Sequence, residues 1–122
     1  MSTLKVTNIH KTGESASRNV SGVAAAYSSW NTDGTLTVFG SFNISSHTDS
    51  STGVTDLNIS AAFAAKDYTS SADNLAQSTA ATYRGGLNYT GCSTSLLNYR
   101  CGKSSSYTDS EYNAITVHGD LA

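Results

Sequence analysis

Residues 26–68, AYSSWNTDGTLTVFGSFNISSHTDSSTGVTDLNISAAFAAKDY, decide the fold. They hold two runs of alternating apolar and polar residues, 35–44 and 54–63, with the polar segment SSHTDSSTG between them. Such alternation predicts an antiparallel strand pair with one buried and one wet face, joined by the polar segment as a loop. In the first run Leu36, Val38, Gly40 and Phe42 share one face, and Thr37, Phe39 and Ser41 the other. Gly40 leaves a gap in the apolar face that a bulge or a close neighbour would fill. In the second run Thr55, Leu57, Ile59 and Ala61 form the buried set. The NTDG of 31–34 is a turn whose Asp-Gly suits positive φ.

Working outward, 23–30 is the first core strand, with Trp30 inward together with Phe42. Residues 61–66, AAFAAK, tempt a helix but are too short for one, and read as the exit of a strand. Tyr68 begins another extended piece, followed by a loop at 70–77. A strand at 80–89 is interrupted at Gly85-Gly86, where a bulge or a close backbone approach is expected. Residues 96–101 form a short strand, and 114–121 close the chain with Ile115, Val117 and finally Leu121 inward. Roughly seven or eight strands with turn signals between them predict an all-β fold, an antiparallel, jelly-roll-like β-sandwich over 23–122. Residues 1–22 read as an extended arm: Leu4 and Val6 alternate like an edge strand, and 11–22 are polar.

Composition narrows the function. Charged residues make up 13% and the formal net charge is −2, so nothing basic enough to neutralise a run of phosphates is present and nucleic-acid binding is disfavoured. Serine and threonine reach roughly 30% of the chain, far above ordinary usage. Outside 2–22 and 104–110 the apolar residues nevertheless keep a strand period, and threonine's branched Cβ suits a pleated surface. Proline is absent, which leaves the turns to Gly, Asn, Asp and Ser. No signal peptide and no apolar run of about 18 residues is visible, so neither secretion nor membrane insertion is expected.

Candidate chemistry is sparse. His10, His47 and His118 stand in separate contexts without metal-ligand spacing. No G-x-S-x-G elbow surrounds any serine. Asp67, Asp73, Asp109 and Glu111 lack the D-x-D-x-D-G order of a calcium loop. No catalytic residue, cofactor or metal is therefore assigned, and no enzyme is expected. Cys92 and Cys101 flank STSLLNYR and could close that loop as a disulfide, contributing roughly 2–3 kcal/mol. A cytoplasmic product would hold them reduced, and one later released to an oxidising medium could cross-link them. Tyr99, Tyr107 and Tyr112 are candidate interface residues, since tyrosine offers rigid area with a polar tip. Leu4 and Val6 join them as an arm able to add as a strand to a partner.

One resemblance adds to this reading. Trp30 followed by N-x-D-G-T, then S-F-N-x-S-S-x-T-D-x-x-T-G, an alternating strand and a D-Y resembles a small β domain of tailed-phage appendage proteins, of phages of cyanobacteria and other marine hosts. The opening MSTLKVTNI is similar to the leader that precedes such domains. The likeness covers 1–68 and fades toward Ala122. It implies a virion protein, made in the host cytoplasm and displayed on the capsid exterior or the tail. Two roles follow. One is a homotrimeric decoration (cement) protein clamping major capsid subunits. The other is the receptor-binding tip or a small component of a tail fibre, contacting tail proteins and a host surface receptor. The first is preferred here, because a strand of about 8 residues spans only about 27 Å and one such domain cannot build a shaft.

Overall fold

The computed structural model describes Asn8–Ile9, Arg18–Asn19 and residues 24–75, 83–103 and 106–122. Two antiparallel sheets pack face to face as a β-sandwich. The first has the order β4 (Thr37–Phe42), β3 (Ala26–Asn31), β11 (Tyr112–His118), β7 (Thr69–Leu75). The second runs β5 (Ile44–Ser51), β6 (Val54–Ile59), β9 (Leu96–Lys103), with β8 (Tyr83–Leu87) also paired to β9 and the two-residue β10 (Ser106–Tyr107) meeting its end. In the region expected to form the arm, β1 (Asn8–Ile9) pairs antiparallel with β2 (Arg18–Asn19). The rest of that arm, Leu4 and Val6 included, lies outside the described residues.

Period-two alternation builds the core. Trp30 from β3, Leu57 and Ile59 from β6, Leu97 and Tyr99 from β9, and Ile115 and Val117 from β11 are buried in one cluster between the sheets. The Trp30 and Tyr99 rings meet edge-on at 4.8 Å and 80°, a favoured arrangement of two ring quadrupoles. Their polar atoms are satisfied in place. Trp30 Nε1–H donates to Thr55 Oγ1 at 3.1 Å, and the Tyr99 hydroxyl donates to the Asp73 carbonyl at 3.2 Å. Gly85 makes room for that hydroxyl: a Cβ there would overlap it and stand 2.7 Å from the ring carbon Cζ. The interruption expected at Gly85-Gly86 is absent: a side chain meets Gly85, nothing comes within 4 Å of a Cβ at Gly86, and β8 runs through both in regular register.

The chain changes sheets at Asn43, whose φ of 58° is left-handed. Its amide NH2 donates to the carbonyls of Ala25 and Ala61, each at 3.0 Å, and its Oδ1 accepts from the Ala61 N–H at 2.7 Å. One side chain thereby ties the start of β3 to the exit of β6.

Several expectations are corrected. The run 35–44 does not pair with 54–63: β4 pairs with β3, and β6 pairs with β5 and β9. The polar segment SSHTDSSTG is not a loop, since all but its last two residues belong to β5, and Thr52-Gly53 makes the turn. Hydroxyl side chains fit a pleated edge strand as well as a loop, and β5 is such an edge. The same holds for 70–77, most of which is β7. Ala61 and Leu121 are exposed rather than inward.

Phe42 is the most instructive correction. A bulge in β4 places Val38 opposite Trp30 but Gly40 opposite Ser29 and Phe42 opposite Tyr27. One extra residue inverts the face of everything beyond it. Leu36 packs against the core, whereas Phe42 points outward and is 52% exposed.

Candidate functional site

The two outer faces of the sandwich differ in kind. That of the second sheet is a polar lattice. Asn98 Nδ2 donates to Asp56 Oδ1 at 2.6 Å, Ser50 Oγ donates to Asp56 Oδ2 at 2.5 Å, and Arg100 Nε donates to Asn98 Oδ1 at 3.2 Å. Arg100 also donates to the Tyr107 hydroxyl at 2.6 Å, with its guanidinium 5.3 Å from that ring. Asp56, Asn98 and Arg100 there are bonded to one another in a chain that ends on Ser50 and Tyr107.

The outer face of the first sheet is aromatic. Tyr27 and Phe42, cross-strand partners, stack at 5.9 Å and 24°. Phe39, the bulged residue, reaches across β3 to stack on Tyr112 at 6.1 Å and 14°. Tyr27, Phe39 and Phe42 are 48%, 56% and 52% exposed. Between these two ridges the register brings Gly40, Ser29, Ala114 and Asp73 into one row. The result is a trough with a small-residue floor, walled by rings from β4 to β11 on one side and over β4 and β3 on the other, its floor running on to β7. Tyr27 and Asn31, at the feet of the two walls, are four residues apart on one strand, so the walls stand ~13 Å apart at ~3.4 Å per residue.

Inside the sandwich one pair has the look of a nucleophile and base. Ser28 Oγ lies 2.6 Å from His47 Nε2. Ser28 is only 2% exposed, and its hydroxyl also reaches the Gly40 carbonyl at 3.3 Å. The pair ties β5 across to β3. Burial holds the His47 imidazole below its ordinary pKa, so it sits there neutral beside Trp30.

A smaller depression of about 260 Å³ lies beside Tyr68, Tyr89 and Cys92. Lys66 Nζ stands 4.1 Å over the Tyr89 ring and covers that ring face. Burial, and then the Cys92 thiol, push the Tyr68 phenol well above its usual range. Among the described residues no three His, Cys, Asp or Glu side chains gather to hold a metal ion.

The expected interface residues do not form one surface. Tyr99 is 1% exposed and belongs to the core, because β9 is a central strand covered on both sides. Tyr107 is exposed on the polar face under Arg100, and Tyr112 stands in the trough wall. Cys92 and Cys101 are free, buried thiols. Cys92 Sγ accepts from the Asn98 N–H at 3.3 Å and Cys101 Sγ from Asn74 Nδ2 at 3.0 Å. Burial pushes the Cys101 thiol up, against the opposing effect of the Asn74 bond. Sequence reasoning did not assign Tyr27, Phe39, Phe42 and Gly40 to a site. The aromatic-rich strand TVFGSF interrupted by glycine was the available signal.

Comparison with protein-family models, with curated proteins and with solved structures returns no match for this chain.

Proposed function

We propose that this protein is a non-enzymatic structural component of a tailed-phage virion, displayed on the particle surface and acting by binding. The observation that carries the reading is the contrast between the two outer faces: one carries a lattice of polar side chains bonded to one another, the other holds exposed aromatic walls in a chain that already has a closed core. Exposed aromatic area of this kind marks an interaction surface. The phage placement rests on the motif resemblance over 1–68.

Two roles divide the proposal. As a homotrimeric decoration protein the chain clamps major capsid subunits; the exposed Ala61, Ala64 and Ala65 would allow neighbouring copies to approach closely, while Ala25 and Ala26 are buried within the domain. As the tip or a small component of a tail fibre it reads a host surface receptor. The trough favours the second role, because a floor of Ser29, Gly40 and Asp73 is shaped for a narrow ligand and lacks the aliphatic centre of a subunit interface. Counting copies per particle against the major capsid protein separates the roles. Tens of copies or fewer fit a fibre, and hundreds fit a decoration protein. Light scattering of the isolated protein tests the trimer, and a stable monomer at micromolar concentration would count against it.

A further inference from the structure

We infer that the trough across β4, β3, β11 and β7 binds a neutral saccharide chain lying across the strands. This deepens the binding reading of the same face and rests on it.

The first support is Gly40. Its φ lies outside the left-handed region, and a Cβ built there would meet nothing within 4 Å. Neither backbone nor packing requires glycine at this position. Glycine inside a strand weakens it and often marks a place where a ligand approaches closely. Here it keeps the floor clear where Phe42 and Phe39 rise on either side.

The second support is chemical. None of the four strands, AYSSWN, TVFGSF, YNAITVH and TSSADNL, contains a lysine or arginine. A phosphorylated, sulfated or sialylated ligand would find no lysine or arginine on these four strands. The register puts hydroxyls of Ser29, Thr116 and Ser71 and the carboxylate of Asp73 on the outer face beside the aromatic walls. Rings that accept C–H faces, next to hydroxyl and carboxylate groups that bond to O–H, suit a polyol. A peptide of a protein core would leave those polar groups unpaired when it covered them.

The third support is shape. Four strands at ~4.8 Å spacing give a floor ~14 Å long, open at Gly40 on one side and ending at β7 on the other. A short oligosaccharide fits that length in an extended form.

The test is a microarray of neutral and anionic bacterial, plant and animal oligosaccharides, probed with the labelled full chain. We expect binding to neutral glycans, reduced tenfold or more by Tyr27→Ala and by Gly40→Val. Gly40→Val fills the floor while entering open space, so its melting temperature should not fall, which separates blocked binding from lost folding. No neutral glycan bound, a preference confined to anionic glycans, or binding unchanged in both variants would overturn the inference. Sedimentation showing self-association that Gly40→Val abolishes would assign the face to a second copy instead. Host adsorption lost in Tyr27→Ala with an empty array would retain the binding face and remove the saccharide.

Discussion

Gly85→Ala tests the packing at the centre of the sandwich most directly. The new methyl would overlap the Tyr99 hydroxyl and stand 2.7 Å from Cζ. Tyr99 cannot swing away freely, since its ring lies edge-on to Trp30 at 4.8 Å and its hydroxyl bonds the Asp73 carbonyl. Overpacking of this kind costs about 1–3 kcal/mol. It is offset by about 0.4–1 kcal/mol from the reduced entropy of the unfolded chain. A net loss of about 1–2 kcal/mol is expected, read as a lower urea midpoint at unchanged m-value. Gly86→Ala, one residue along, meets nothing within 4 Å and should be neutral or stabilising by up to about 1 kcal/mol. Tyr99→Phe removes the overlapped oxygen at a cost of about 1 kcal/mol for the lost hydrogen bond. The double variant Gly85→Ala/Tyr99→Phe should then be more stable than additivity predicts by about 0.5–1 kcal/mol, the relief being partial because Cζ remains. Equal stabilities for Gly85→Ala and Gly86→Ala, or strict additivity in the cycle, would refute the argument.

Three further outcomes follow from the same geometry. Asn43→Ala should lose about 2–4 kcal/mol in chemical denaturation, because it removes three hydrogen bonds and leaves a β-carbon residue at φ 58°, whereas Asn43→Gly keeps the backbone permissive and loses less. His47 has its folded pKa below the unfolded 6.5, so its contribution to stability is present above pH 6.5 and declines as pH falls from there toward the folded value. Urea midpoints at pH 7.5 and 5.5 should show the decline, and His47→Gln should flatten it; Asp49, pushed up by burial and then by Asp109, acts in the opposite direction, adding stability as pH falls through its raised value toward the usual 3.8. Both thiols should resist Ellman's reagent in the native state and react on unfolding in urea, and rapid native labelling of Cys101 would contradict its buried place between the sheets.

The strands that could be read from the sequence are those with an apolar face to bury. Leu57 and Ile59 of β6, Leu97 and Tyr99 of β9, and Ile115 and Val117 of β11 stand at alternate positions, β3 brings Trp30, and the hydrophobic effect fixes which face turns inward. β5 and β7 carry almost none of that signal. ISSHTDSS and TSSADNL are held by ladder hydrogen bonds to β6 and β11, and such bonds leave no mark on side-chain pattern. An edge strand facing water on one side and capped by hydroxyls reads the same as a polar loop until its partner is known.

The candidate face was hidden for a related reason. Periodicity assigns a face only while the count of two holds, and the bulge in β4 resets that count after Val38. Counted straight through, TVFGSF buries Phe42 and treats Gly40 as a defect in the core. Counted across the bulge, the same residues place Phe42 beside Tyr27 outside, send Phe39 over to Tyr112, and leave Gly40 as the floor between them. The bulge therefore costs the core an aromatic residue, and Trp30 and Tyr99 fill the interior without it. A strand that gives up inward apolar surface, gains exposed rings and keeps a glycine that neither backbone nor packing requires is arranged for something that meets it from outside.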